Sequence, residues 1–76
     1  MAKWKTTDFY LTAYLHTQGY HVEVDPESAP GKAIFVIEDD ERRQELVDMY
    51  LQKKALVDPL ELKQSIQIIK SMMYNR

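Results

Sequence analysis

A chain of 76 residues has room for one hydrophobic core, so it reads as a single domain over 1–76. Apolar residues at 45% suffice for that core, and the absence of cysteine excludes disulfide scaffolds, thiolate zinc sites and thiol catalysis. The net charge of −2 hides an asymmetry: Tyr20 to Asp48 holds nine acids and three bases, a balance of −6, and the rest holds three acids and seven bases, a balance of +4.

Residues 1–5, MAKWK, have no apolar stretch of signal-peptide type and are expected to form a loose end. Thr6 or Thr7 then offers an N-cap, with Asp8 in the first turn. A helix follows over about 7–18, because Phe9, Tyr10, Leu11, Ala13, Tyr14 and Leu15 recur at three- and four-residue spacing. Phe9, Tyr10 and Tyr14 cannot share one stripe, which leaves a tyrosine or two to face the rim or a partner. Gly19 suits the left-handed position that ends a helix.

His21-Val22-Glu23-Val24-Asp25 alternates polar and apolar and predicts a half-buried strand with Tyr20, Val22 and Val24 inward. After the turn-rich segment 26–31, Ala33-Ile34-Phe35-Val36-Ile37 predicts a second strand, apolar enough for cover on both faces. The short connection makes the pair an antiparallel hairpin, which needs helices packed on it to be stable. Asp39 or Asp40 caps a second helix running to about Lys53, with Leu46, Val47, Tyr50 and Leu51 as its apolar stripe. Val57-Asp58-Pro59-Leu60-Glu61-Leu62 has Asp58 at the N-cap, Pro59 at the first helical position, Glu61 placed for a capping box and Val57 and Leu62 for a hydrophobic staple. The third helix then runs to Met73 or Tyr74. Leu62, Ile66, Ile69 and Met73 form its core stripe, and Ile68 and Met72 widen the apolar arc to roughly 160°.

The fold expected is α+β: helix, two-stranded antiparallel hairpin, helix, helix, around one core. In order along the chain, Lys5-Thr6-Thr7-Asp8-Phe9-Tyr10-Leu11, Gly19-Tyr20, Phe35-Val36-Ile37-Glu38-Asp39-Asp40, Ala55-Leu56-Val57-Asp58-Pro59-Leu60 and Lys70-Ser71-Met72-Met73-Tyr74 resemble a family of very short bacterial and phage proteins, a domain of unknown function. That resemblance implies no activity, cofactor or site residue. It implies a setting, phages and other mobile elements, in which small accessory proteins bind something larger.

The residues themselves offer little chemistry. His16 and His21 have neither a cysteine partner nor the spacing of a metal-ligating helix. Glu38-Asp39-Asp40-Glu41 lacks the alternation and glycine of a calcium loop, and a helix start already explains its acids. No metal, cofactor or catalytic residue is therefore expected, and the chain reads as non-enzymatic. The function expected is a protein–protein interaction module, an inhibitor or adaptor, with a protein partner or a second copy of the chain. Its candidate contacts are an acidic patch, Asp39, Asp40, Glu41, Glu45 and Asp48, and an apolar patch, Ile68, Met72 and Tyr74. For Ile68 and Met72 the alternative is burial under the hairpin. The rival class is a nucleic-acid-binding regulator using Lys3, Trp4 and Lys5 with His16, Lys63, Lys70 and Arg76, although the net charge is acidic. Small secreted domains usually carry disulfides, so a cytoplasmic setting is expected, with no membrane span.

Overall fold

The computed structural model describes residues 2–29 and 31–74. Its elements are β1 (Lys3–Thr6), α1 (Phe9–Thr17), β2 (Val22–Val24), β3 (Phe35–Glu38), α2 (Glu41–Leu51) and α3 (Pro59–Tyr74). The class is α+β with three helices, as the periodicity predicts. The sheet differs from the expected hairpin: it has three antiparallel strands in the order β1-β3-β2.

The additional strand is the segment expected to be a loose end. Trp4 lies opposite Ile37 and Thr6 opposite Phe35, and the Asp39 amide donates to the Ala2 carbonyl at 3.1 Å. A hairpin leaves one edge of β3 unpaired, and Lys3–Thr6 fills it, satisfying backbone groups that would otherwise need water. Trp4 adds the side-chain reason: its ring packs at the core margin under the Arg43 guanidinium, 4.4 Å from the centroid. Met1 lies outside the described residues.

The register places Trp4, Thr6, Val22, Val24, Phe35 and Ile37 on one face of the sheet, where the helices pack. Lys3, Lys5, Glu23, Val36 and Glu38 share the other. Among the described residues no helix packs on that face. Val36 is instead half-buried between Lys5 and Glu23 on the neighbouring strands.

Asp8, rather than Thr6 or Thr7, caps α1. Its Oδ1 accepts the Leu11 amide at 3.0 Å, and Thr6 Oγ1 accepts the Asp8 amide at 3.1 Å. A carboxylate suits this position because it meets both the free amides and the positive end of the helix dipole. Leu11 to Leu15 are five consecutive buried residues. Burial of this kind means that α1 is covered on all sides through its middle, by the sheet, α2 and α3. The surplus of aromatic residues in α1 is absorbed in this way, except for Tyr10.

Both α1 and α2 end in the same six-residue turn. In α1 the Tyr20 amide donates to Leu15 O and the Gly19 amide to His16 O, with Gly19 at φ 97°. In α2 the Lys54 amide donates to Met49 O and the Lys53 amide to Tyr50 O, with Lys53 at φ 61°. This turn needs a left-handed residue, for which glycine is unstrained and lysine is not.

Asp40 caps α2, accepting the Arg43 amide at 2.7 Å. Leu46 is buried and Val47 and Tyr50 are half-buried, but Leu51 is exposed, contrary to expectation. Leu51 lies about 90° from the centre of the stripe, in the last turn of α2, and about two-thirds of it meets solvent. Asp58 caps α3: Oδ1 accepts the Leu60 amide at 2.8 Å and the Glu61 amide at 3.2 Å. The Glu61 carboxylate makes no return bond among the described residues, so half of the expected capping box forms. On α3, Ile69 is fully buried and Ser65 buried, while Leu62, Ile66, Met72 and Met73 are half-buried.

The connection between β2 and β3 is held by Asp25. Its Oδ2 accepts Lys5 Nζ at 2.8 Å, its Oδ1 accepts the Glu27 amide at 2.8 Å, and its carbonyl accepts both the amide and the hydroxyl of Ser28. Ser28 Oγ in turn accepts the Ile34 amide at 2.9 Å. Pro30, within this loop, lies outside the described residues.

Candidate functional site

The acidic patch read from the sequence divides in two. Asp39 and Asp40 serve the fold. Asp39 Oδ1 accepts two Arg43 nitrogens, at 2.7 and 3.1 Å. Asp40 Oδ1 accepts the Tyr20 hydroxyl at 2.6 Å as well as the Arg43 amide. The Tyr20 hydroxyl and the Arg43 amide together hold the Asp40 carboxyl below its ordinary range. Burial, reinforced by Asp40, pushes the Tyr20 hydroxyl up to about 12. Glu41, Glu45 and Asp48 are exposed and have no side-chain partner among the described residues. Their spacing puts them within about 60° of one another on the outer side of α2.

The expected apolar patch is also divided. Ile68 is exposed at 46%, and Met72 faces β2, lining a shallow depression with His21, Val22 and Val24. Tyr74, at 81% exposure, is on the other flank of α3 beside Phe9, Tyr10 and Met73. Ile68 and Met72 therefore do not form one patch with Tyr74.

The proposed nucleic-acid residues are dispersed. Trp4 is half-buried beneath Arg43, and Lys5 is paired with Asp25. His16 Nδ1 lies 2.7 Å from Ser65 Oγ, joining α1 to α3. Arg76 lies outside the described residues.

A further apolar surface lies around Tyr10, foreshadowed in the sequence only by a surplus of tyrosines. Tyr10, exposed at 62%, projects from α1 as a ridge between two depressions. On one side, Tyr14 and Tyr50 stack with centroids 5.9 Å apart and, with Val57 and Leu62, wall a cavity of about 250 Å³. Burial, followed by the charge of Asp8, pushes the Tyr50 hydroxyl up. On the other side, Phe9, Met73 and Tyr74 wall a cavity of about 200 Å³. Phe9 meets Tyr10 edge to face at 5.2 Å, which braces the ridge. Leu56, at 85% exposure, and Leu60 lie exposed in the α2–α3 link and the first turn of α3. Helical phase gives no signal here: Tyr10 lies only about 40° from the buried Tyr14, and its exposure comes from its place in the first turn of α1.

Among the described residues no group of acids and histidines is placed to hold a metal ion, and no helix is long and apolar enough to cross a membrane. No curated protein and no solved structure matches the chain. A family model, "Domain of unknown function (DUF5659)", matches residues 1–75. With all but one residue of the chain inside that match, the protein belongs to the DUF5659 family.

Proposed function

We propose that this chain is a non-enzymatic protein-interaction module, an adaptor or inhibitor of the kind that phages and other mobile elements carry. The observation that carries the reading is the Tyr10 ridge: a large aromatic side chain, 62% exposed, with an apolar depression on each side. An exposed aromatic side chain set between two apolar depressions is suited to contact with another protein. Tyrosine is among the residues that dominate binding energy at such surfaces. The ridge is braced by Phe9 and by the covered middle of α1, so the surface is formed before binding and little ordering is lost on contact. The mechanism is occupancy: the preformed surface seats on a larger protein and blocks or adapts it. The setting on phages or mobile elements rests on the resemblance of the sequence alone.

The test is site-specific photo-cross-linking in the native host. A benzophenone amino acid replaces Tyr10 in one variant and the exposed Glu27, on the far loop, in another. The expected result is a discrete protein adduct from position 10, absent from position 27 and suppressed by excess unmodified chain. Equal labelling from both positions would overturn the reading.

A further inference from the structure

We propose that the Tyr10 ridge takes an acidic amphipathic peptide segment of a partner protein, with one apolar side chain in each depression and carboxylates meeting Lys53 and Lys70. This rests on the protein-interaction reading and names the chemistry of the partner.

The argument is charge placed on an apolar site. Each depression has one charged lining residue among the described residues, and in both it is a lysine: Lys53 beside Tyr50 and Val57, Lys70 beside Phe9 and Met73. The Lys53 backbone is fixed by the turn that closes α2, where its own amide and that of Lys54 are both bonded. On α3, Lys63 and Lys70 are seven residues apart and lie within about 20° of one another, on the flank that carries Tyr74. Glu61, an acid of the same helix, lies about 180° from Lys70 on that geometry. The charge of Asp8 reaches Tyr50 in the first depression, and its Oδ1 is occupied by the Leu11 amide.

The larger charge distribution agrees. Nine of the twelve acids fall between Tyr20 and Asp48, in β2, β3, α2 and the connections between them. The ridge is built from α1, α3 and the link before α3, where bases outnumber acids, and α2 adds only Tyr50 from its last turn. A basic segment would meet like charge at both rims. A nucleic acid would find apolar walls and few cations, where a phosphate backbone needs many. An amphipathic acidic segment satisfies both features: apolar anchors fill the two depressions, and flanking carboxylates pair with the lysines, setting register and association rate.

The experiment is selection of a displayed library of random 16-residue peptides on the full chain, followed by fluorescence-polarisation titration of the synthesised winners. Wild type is compared with Tyr10→Ala and with the double reversal Lys53→Glu, Lys70→Glu, each first checked for folding by circular dichroism. The expected winners carry two apolar anchors flanked by Asp or Glu. Their affinity falls about tenfold or more in the double reversal, weakens with salt and is lost in Tyr10→Ala. Winners that are basic or uncharged, or that bind the double reversal unchanged, overturn the acidic partner while the protein-interaction reading stands, provided that Tyr10→Ala still abolishes binding. Winners indifferent to Tyr10→Ala, or no winners, overturn both. Self-association of the chain in light scattering that the double reversal abolishes would assign the surface to a second copy and overturn the acidic-peptide proposal.

Discussion

The Tyr20 hydroxyl donates to Asp40 Oδ1 at 2.6 Å, and the oxygen that receives it is the one that caps α2 through the Arg43 amide at 2.7 Å. One carboxylate oxygen thus ties the end of the α1 turn to the start of α2. Because the Tyr20 hydroxyl titrates near 12 instead of its ordinary 10.0, its contribution is complete below pH 10 and is lost as pH rises towards 12. Asp40 has the opposite sign: its lowered value means a contribution present above the ordinary carboxylate range and lost as pH falls through the folded value. Tyr20→Phe should lower Tm and flatten the alkaline limb of the stability profile between pH 10 and 12. An unchanged alkaline limb in thermal melts would refute the coupling.

Lys5 and Asp25 form a second pair with effects at both ends of the pH scale. Lys5 is raised by its bond to Asp25, so its contribution is present below the ordinary lysine value and lost above the folded one. Asp25 is lowered by Lys5 and by the Glu27 amide, so its contribution is lost as pH falls through its folded value. Asp25→Ala should speed hydrogen exchange at the Glu27 and Ser28 amides and lower Tm, with β3 amides much less affected. Unchanged exchange at these two amides would show that the loop does not depend on the carboxylate.

Lys53 occupies a left-handed turn position at φ 61°. A non-glycine residue there costs roughly 1–2 kcal/mol, partly offset by the greater unfolded-state freedom of glycine. Lys53→Gly should therefore stabilise the domain by about 0.5–1 kcal/mol, seen as a higher urea midpoint at constant slope. A lower midpoint would mean that the lysine side chain contributes more than its backbone costs.

The two ends of the burial range on α3 separate core from surface. Ile69 is fully buried, and Ile69→Ala should cost about 2–5 kcal/mol. Ile68, one residue earlier, is 46% exposed, so Ile68→Glu should stay folded and cost about 0.5 kcal/mol or less. Comparable losses in chemical denaturation would mean that α3 is rotated from the orientation described.

Reversing Glu41, Glu45 and Asp48 to Lys should leave Tm nearly unchanged, because exposed charges contribute about 0–1 kcal/mol per pair. Asp40→Lys alone should lower Tm more than the triple reversal, since it removes a cap and a buried hydroxyl's partner.

The sequence was readable where the signal is local. Asp58-Pro59 announces α3 because a cap and a fixed φ act within one turn, and Val22-Glu23-Val24 announces a strand by alternation alone. Lys3–Thr6 alternates too, but over four residues, and its partner Phe35–Glu38 is some thirty residues away. Nothing local marks that pairing. The cap of α1 was displaced by one or two residues because three adjacent side chains, Thr6, Thr7 and Asp8, can all accept an amide. The acidic patch was legible only in part: composition counts carboxylates, but only geometry shows that Asp39 and Asp40 are bonded within the fold. Tyr10 stood out as an aromatic too many, yet its exposure depends on how α3 and the link before it pass over α1.

The central position of β3 has a consequence for the order of assembly. β2 lies next to β3 in the sequence and can pair with it early, as a short hairpin. β1 is made first but has no partner until Glu38 has emerged from the ribosome, and α1 waits still longer for the helix that bonds its His16 to Ser65. During synthesis the first half of the chain therefore holds Trp4, Phe9 and the tyrosines of α1 without cover. Closure of long loops, rather than growth of any one helix, sets the pace at which that exposure ends. A pulse of protease applied to stalled nascent chains should cleave near Tyr10 until α3 has cleared the exit tunnel, and then abruptly cease to.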